Sequence, residues 1–534
     1  MVSKTSYDAV GGGLYLTYRS TSIVSTRFYS NTATRGGGIY SDNTNYLMIA
    51  DSEFIRNTTT QEGFTGGGLY VNGGHIQIDN VDFIENYSKN RGGGISVEHG
   101  WGYINGCRFI SNEVQGRGVG AGISLSYSTT WISNSLFQQN TAYEGSGLYA
   151  YDATTFLQSS KFFENIGSSG AGLMINNGSI SLIDSQVVRN SALDGAGGYY
   201  FMTTGIISNT QFISNTTTTD IGRGGGLNIF QSDVDIYDST FSENTAGNGG
   251  GIFLEESNLM LNGFQISNNF ARDPNKGYGG GIDIYKSSAV MVNGKVSENE
   301  ANYGGGLTNE TLSNSNFVNV NFSNNHAVYL GGAVGNIITS TVSVVNGIFY
   351  DNSALYGGGF GNGQDSVDKS SFSLVNTDFL RNSTTDSGSA VFNSSGAASS
   401  ISNSIILDNN PFEQLYISQV PLSINYSIVQ DGCPSLVTCN HIITSNPMFM
   451  DPINGDLRLL GSSPAIDAGD NSALPLDFYD LDEDGNKEEP FPMDFVLQKR
   501  FVDHSTLDTG SGSPPIIDLG AYETPNHAPV LDNS

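Results

Sequence analysis

A single sequence pattern returns along nearly the whole chain. Phe-x-x-Asn, or an aliphatic version of it, places its Asn at 31, 57, 86, 112, 140, 165, 190, 215, 244, 269, 299, 325, 352, 382 and 409. The 378 residues from first to last take fourteen steps, a mean period of 27 with single steps of 25 to 30. The residue three before the Asn is Phe28, Phe54, Phe83, Phe109, Phe137, Phe162, Phe212, Phe241, Phe322, Phe349 or Phe379; in the other copies it is Val187, Ile266, Val296 or Ile406. It is apolar every time. A glycine cluster running into an aliphatic residue follows, as in Gly36-Gly37-Gly38-Ile39, Gly92-Gly93-Gly94-Ile95 and Gly279-Gly280-Gly281-Ile282. A fixed period between roughly 20 and 50 residues marks a solenoid or repeat array, whose units bury their apolar faces against one another.

Within a unit the apolar residues alternate, as in Ile76-Gln77-Ile78 and Val234-Asp235-Ile236. Period two is the mark of a half-buried strand, and runs of Gly, Asn, Ser and Thr supply the turns between strands. Two or three short strands fill such a unit and leave no room for a helix of ordinary length. The pattern therefore predicts an all-β right-handed parallel β-helix of about fifteen coils over residues 1–410. A propeller also repeats, but its blades need about 40 to 45 residues. The phenylalanines, from Phe28, Phe54, Phe83, Phe109, Phe137 and Phe162 to Phe212 and Phe241, are expected to stack as an internal column. Asn31, Asn57, Asn86, Asn112 and their equivalents are expected at a turn, in left-handed backbone, extending an amide ladder from coil to coil. Tyr15, Tyr40, Tyr70 and Tyr149 also fall at one repeat position. Facing outward they would suit sugar or protein contact; facing inward they would be packing.

Charge narrows the function classes. Acids outnumber bases 52 to 22, for a formal net charge of −30. This argues against nucleic acid or an anionic membrane surface as partner, since both call for basic patches. No apolar run approaches the ~18 residues of a transmembrane helix. Residues Met1 to Val10 lack the basic and apolar regions of a secretory signal, while residues 525–534 read as a linker. The chain is accordingly expected to be part of a longer polypeptide. Cys433 and Cys439 bracket a short loop; a local disulfide there fits an oxidising compartment, with two free thiols as the other reading. Cys107, beside Phe109, reads as a buried small hydrophobe. Sequons at Asn57, Asn86, Asn215 and Asn382 are what this composition makes by chance.

Past about residue 410 the repeat fades. Ser445 to Asp451, Asn454 to Arg458, Gly461 to Asp470, Arg500 to Asp503 and Asp518 to Glu523 form an ordered series of motifs. This series resembles the C-terminal segment of bacterial surface proteins of the choice-of-anchor Q type, over residues 411–524. The upstream Phe-x-x-Asn and Gly-Gly-Gly-Ile marks resemble the repeats of polymorphic outer-membrane proteins, which are β-helical autotransporter adhesins. The resemblance implies an extracellular or bacterial cell-surface location, with final coils and an irregular cap in 411–524.

One constellation could hold a ligand. Asp480, Asp482 and Asp484, followed by Gly485 and Asn486, match the start of a calcium loop. Phe491 stands where an EF-hand requires Glu, so a shorter loop drawing on Glu488, Glu489 or Asp494 is the remaining form. Many pectate lyases and polygalacturonases are β-helices, and Asn376-Thr377-Asp378 matches one short piece of the polygalacturonase pattern. The paired carboxylates and basic residue that such catalysis needs do not follow it. The sequence is thus read as a non-enzymatic adhesin or stalk that binds cell-surface glycans or proteins, with calcium as the one implied cofactor. The alternative is a polysaccharide lyase or glycoside hydrolase.

Overall fold

A computed structural model describes residues 10–61, 65–365, 367–418 and 422–525. The chain winds as a right-handed parallel β-helix and divides into two compact units, Met1–Met260 with Phe264–Gly277 and Leu261–Gly263 with Tyr278–Ser534. The only helical turn among the described residues is the three-residue 3₁₀ turn Asn471–Ala473. The proposed linker, apart from residue 525, lies outside the described residues, as does the start of the chain up to residue 9.

A coil of the first unit shows how the repeat becomes structure. Strands Leu148–Tyr151, Thr154–Gln158 and Lys161–Phe163 pair in parallel with Leu173–Asn176, Ser179–Ile183 and Gln186–Val188, without a register slip. Single residues in left-handed backbone turn the chain between them: Asp152 (φ 46°), Ser159 (φ 50°) and Glu164 (φ 55°). Each such residue costs on the order of 1 kcal/mol, and the ladders on either side fix it. Gly145 (φ 55°) opens the coil, where an added Cβ would lie 2.5 Å from the Leu148 carbonyl oxygen. Gly147 is excluded from growing by its neighbours: a Cβ would sit 2.8 Å from the Phe162 ring.

The interior columns lie where the repeat predicts them. In the first unit the ring centroids of Phe28, Phe54, Phe83, Phe109, Phe137 and Phe162 are 4.4 to 5.0 Å apart, and Phe212 and Phe241 are 4.7 Å apart. Beside them the asparagines form a buried amide ladder. Asn86 Nδ2 donates to Asn112 Oδ1 (3.0 Å) and to the Phe54 carbonyl (2.8 Å). The same Asn112 oxygen accepts from the Asn86 backbone N–H at 3.0 Å. Every donor and acceptor of the buried amide is thereby used, which burial requires. The expectation of left-handed backbone at these asparagines needs correcting. The positive φ belongs to the residue before, at Ser30, Arg56, Glu85 and Ser111. That residue makes the turn outside, and the Asn it delivers points in.

The second unit repeats both columns. Phe322, Phe349 and Phe379 stack at 5.1 and 4.4 Å, and the amide ladder runs through Asn325, Asn352, Asn382 and Asn409 to end on Gln414 Oε1. Parallel pairing continues beyond residue 410, to Thr438–Ile443 against Leu422–Val429. A short antiparallel pair, Phe449–Asp451 with Asp456–Leu459, follows. The irregular chain after it packs on the coils of its own unit. Ile348, Leu380, Ile405 and Leu407 meet Leu457, Ala465, Ile466 and Leu519, while Val292, Val318 and Val345 meet Leu474, Phe491 and Ile517.

Candidate binding face and cation sites

In the first unit the middle strand of successive coils turns aromatic rings to solvent. Tyr46, His75 and Trp101 share one register position, and Tyr103, Trp131 and Phe156 share another. His75 stacks on Trp101 at 3.8 Å, Tyr103 on Trp131 at 5.1 Å, and Trp131 on Phe156 at 5.2 Å. Trp101 is 48% exposed, Tyr103 42% and Phe156 38%. Both tryptophans of the chain lie here. The rings face one another, so most present their edges outward. Trp101 and Phe156 differ, because their partners in the next coil are Thr129 and Ser181, which are too small to cover the rings. Met202 and Ile206, both exposed, lie two coils on, beyond the coil of Ser181. Adjacent rings turned to solvent, such as Trp101, Tyr103, Trp131 and Phe156, mark interaction sites in soluble proteins.

The tyrosines singled out by the repeat do not join that face. Tyr40, Tyr70 and Tyr149 are buried, and only Tyr15 is exposed. Tyr70 donates its hydroxyl to Glu98 Oε2 at 2.8 Å. They point away from the coil interior but are buried by neighbouring residues, so three of the four are packing.

The acidic loop gathers the residues predicted for it. Asp480, Asp482 and Asp484 each bring a carboxylate oxygen within 4.8 Å of the others. Asp480 Oδ1 accepts from the Gly485 N–H (3.0 Å) and Asp484 Oδ1 from the Asn486 N–H (2.7 Å). The Asn486 side chain is turned back to accept from the Glu488 N–H at 3.3 Å. Asp482 Oδ1 and Glu489 Oε1 are buried without a hydrogen-bond partner. Burial, then the charges of Asp484 and Asp482, raise the Glu489 carboxyl pKa. An all-oxygen donor set of this sort suits a hard divalent cation.

Asn376-Thr377-Asp378 anchors the C-terminal segment. Asn376 Nδ2 donates to the Asp518 and Gly520 carbonyls at 3.1 and 3.0 Å, and Asp378 Oδ2 accepts from the Ala521 N–H at 3.1 Å. A Cβ on Gly520 would stand 2.4 Å from Asp378 Oδ1, so glycine there permits the approach. Arg500, wholly buried, donates to Asn346 Oδ1 and the Ala521 carbonyl, both at 2.7 Å, and lies 3.5 Å from Glu523. Three separate C-terminal motifs thus meet at one node: Leu519 donates to the Ala465 carbonyl, Asp467 N–H to Asp518, and Arg500 pairs with Glu523. Burial pushes Asp378 up to about 8 and Asp518 up to about 6. Burial and the Asp518 charge also raise Glu523 against the pull of Arg500.

The cysteines and sequons complete the placement. Cys433 and Cys439 are joined by a disulfide, with Cα atoms 6.0 Å apart. Cys107 is a buried free thiol at a corner where the next coils place Ser135 and Ser160, and burial pushes its pKa up to about 12. Asn57, Asn86, Asn215 and Asn382 are ladder members with no exposed surface.

Fold and surface define the class as a right-handed parallel β-helix protein. Residues 121–296 match the family model for a right-handed β-helix region, about a third of the chain. Among solved structures the chain is similar to the periplasmic alginate epimerase AlgG, at 12% identity and a TM-score of 0.30 over 77% of each chain. A likeness at that level carries nothing about activity. No curated protein matches the chain in sequence. No helix among the described residues is long and apolar enough to cross a membrane.

Proposed function

We propose that this is a non-enzymatic protein of the extracellular space or bacterial cell surface, which binds neutral glycans through the aromatic face of its first unit. The observation that carries the reading is the placement of both tryptophans, with Tyr103, Phe156 and His75, on outward positions of consecutive coils. Indole and phenol rings offer large, rigid contact area at little entropic cost. The charge of −30 favours neutral chains over polyanionic ones. Rings repeated from coil to coil also favour a repeating ligand, whose weak contacts add through effective concentration. The burial of Asp378 speaks against the glycosidase alternative, since a general acid must reach the glycosidic oxygen.

Binding is read by intrinsic fluorescence, because both tryptophans report on the face. A glycan array identifies the ligand, and Trp131→Ala should weaken it at least tenfold with thermal stability unchanged. Equal binding by the variant rejects the site; release of reducing ends or unsaturated products by the parent establishes an enzyme instead. In the same reading the loop of Asp480, Asp482, Asp484 and Asn486 holds calcium, with an affinity in the range of about 0.1 to 1 mM usual for extracellular modules. Asp482→Ala should abolish that binding in a calcium titration.

A further inference from the structure

A second acidic cluster lies elsewhere in the C-terminal segment; two of its members fall in the motifs Gly461 to Asp470 and Arg500 to Asp503, whose spacing gave no sign that they meet. Asp467, Asp503 and Asp508 each place a carboxylate oxygen within 4.8 Å of the other two. Asp467 is wholly buried, while Asp503 and Asp508 are exposed. The backbone of Asp467 is pinned on both sides. Its N–H donates to Asp518 Oδ1 (2.9 Å), and its carbonyl accepts from the N–H groups of Thr509 (2.9 Å) and Gly510 (3.0 Å). Its φ of 51° adds a further local constraint. Oδ2 accepts from the Thr506 hydroxyl at 2.5 Å, and the His504 backbone N–H also favours the ionised carboxyl, but Oδ1 is buried without a hydrogen bond of ordinary geometry. None of the ion pairs among the described residues involves any of the three acids.

Three carboxylates this close repel one another, and a buried unpaired oxygen is costly. A hard cation resolves both at once, because it takes carboxylate oxygens, backbone carbonyls and water together. We infer that Asp467, Asp503 and Asp508 form a calcium site, distinct from the Asp480 loop, that fastens the C-terminal segment onto the coils of the second unit. Calcium fits better than magnesium. Two of the three ligands sit on exposed chain with irregular spacing, and calcium accepts such geometry where magnesium demands a near-ideal octahedron. The bound ion would join residues 503–508 to Asp467. Through the Asp467 N–H to Asp518 bond it would reach the stretch anchored on Asn376.

The test uses the full chain carrying Asp503→Asn and Asp508→Asn, two exposed changes that leave the buried node intact. Calorimetric titration with calcium chloride is run on the parent, on Asp482→Ala, on the double variant and on the triple variant. With this site present, the double variant loses one equivalent of calcium, which Asp482→Ala does not remove, and its residual affinity there falls at least tenfold. Limited proteolysis gives a second readout. Calcium should slow cleavage between residues 460 and 525 in the parent and in Asp482→Ala, but not in the double variant. In chelator the double variant should be at least as resistant as the parent, since removing two like charges relieves repulsion. Unchanged stoichiometry in the double variant overturns the site. So does equal protection by magnesium, or a double variant that is already more labile in chelator.

Discussion

The corner between the second and third strands of a coil is built differently in the two units. In the first unit it holds Asp51, Asn80, Asn134, Ser159, Asp184, Asn209 and Asp238, all in left-handed backbone and all exposed. In the second it holds Asn293, Asn319, Asn346, Asn376 and Asn403, again left-handed, and the last four are buried. Their amides bond upward to one another in part, as from Asn346 Nδ2 to Asn319 Oδ1 at 2.9 Å. They also bond outward to the C-terminal segment: Asn346 to the Met493 carbonyl, Asn376 to Asp518 and Gly520, and Asn403 to Asp470. Aspartate serves at an exposed corner, where Asp184 Oδ1 accepts from the Asn209 amide of the next coil at 2.7 Å. A corner that must donate to a docked backbone needs the amide. The same turn geometry is thus a solvated edge in one unit and a row of docking posts in the other.

The sharpest way to break this comparison is one substitution made at both kinds of corner. Asn376→Asp keeps the left-handed backbone that Asp184 shows to be acceptable, but removes both donors and buries a charge. It should cost about 3 to 5 kcal/mol and free the C-terminal segment. Asn134→Asp, at an exposed corner, should stay within about 0.5 kcal/mol. Segment-resolved hydrogen exchange measures both, and a small effect at Asn376 would show that docking does not rest on the posts.

A comparable loss, confined to the first unit, is expected of Phe212→Ala. Removing a fully buried ring from the column should cost about 3 to 5 kcal/mol. Exchange protection in the second unit should be unchanged; a loss spread evenly over both units would refute that confinement.

Acidity distinguishes the units next. Asp518 and Asp378 have folded-state pKa values raised to about 6 and about 8, so the folded state holds protons that the unfolded chain has released. Their contribution is complete below the ordinary carboxylate range, and it is lost as pH rises, through about 6 for Asp518 and about 8 for Asp378. The shift at Asp518 alone corresponds to about 3 kcal/mol. The C-terminal segment should therefore resist proteolysis better at pH 5 than at pH 8.5. Asp378→Asn should flatten the upper part of that profile, and a segment that tightens with rising pH would contradict the assignment.

The smallest effects belong to the exposed ion pairs of the first unit, such as Arg27–Glu53 and Arg56–Glu85. Arg27→Gln should lower stability by no more than about 0.5 kcal/mol in a denaturant titration, because solvent screens the pair.

The two interior columns were legible because the repeat states them fifteen times, and Phe-x-x-Asn couples a ring to an amide at fixed spacing. The docked face was written more faintly. Val292-Asn293, Val318-Asn319, Val345-Asn346 and Val375-Asn376 keep one apolar residue through successive coils, where the first unit varies among Asn105, Ser133, Gln158, Ile183, Ser208 and Tyr237. Ile405-Ile406-Leu407 abandons alternation altogether, as strands covered on both faces do. For a related reason the sequence leaves the tyrosines open between contact and packing. Strand alternation reports which way a side chain leaves the sheet, but carries no information about what packs over it. Asp467 and Asp508 lie 41 positions apart, and only the folded backbone brings them together.

The amide ladder has a consequence for how the protein should be made. Four of its members, Asn57, Asn86, Asn215 and Asn382, are acceptors for oligosaccharyltransferase by sequence. The nitrogen that enzyme modifies is the one each spends inside, as when Asn57 donates to Asn86 Oδ1 and the Phe28 carbonyl, both at 2.9 Å. Modification and coil closure compete for the same atom while the chain is being synthesised. A glycosylating eukaryotic host would cut the ladder wherever the transferase arrived first, whereas a host without that enzyme lets each coil close on the last.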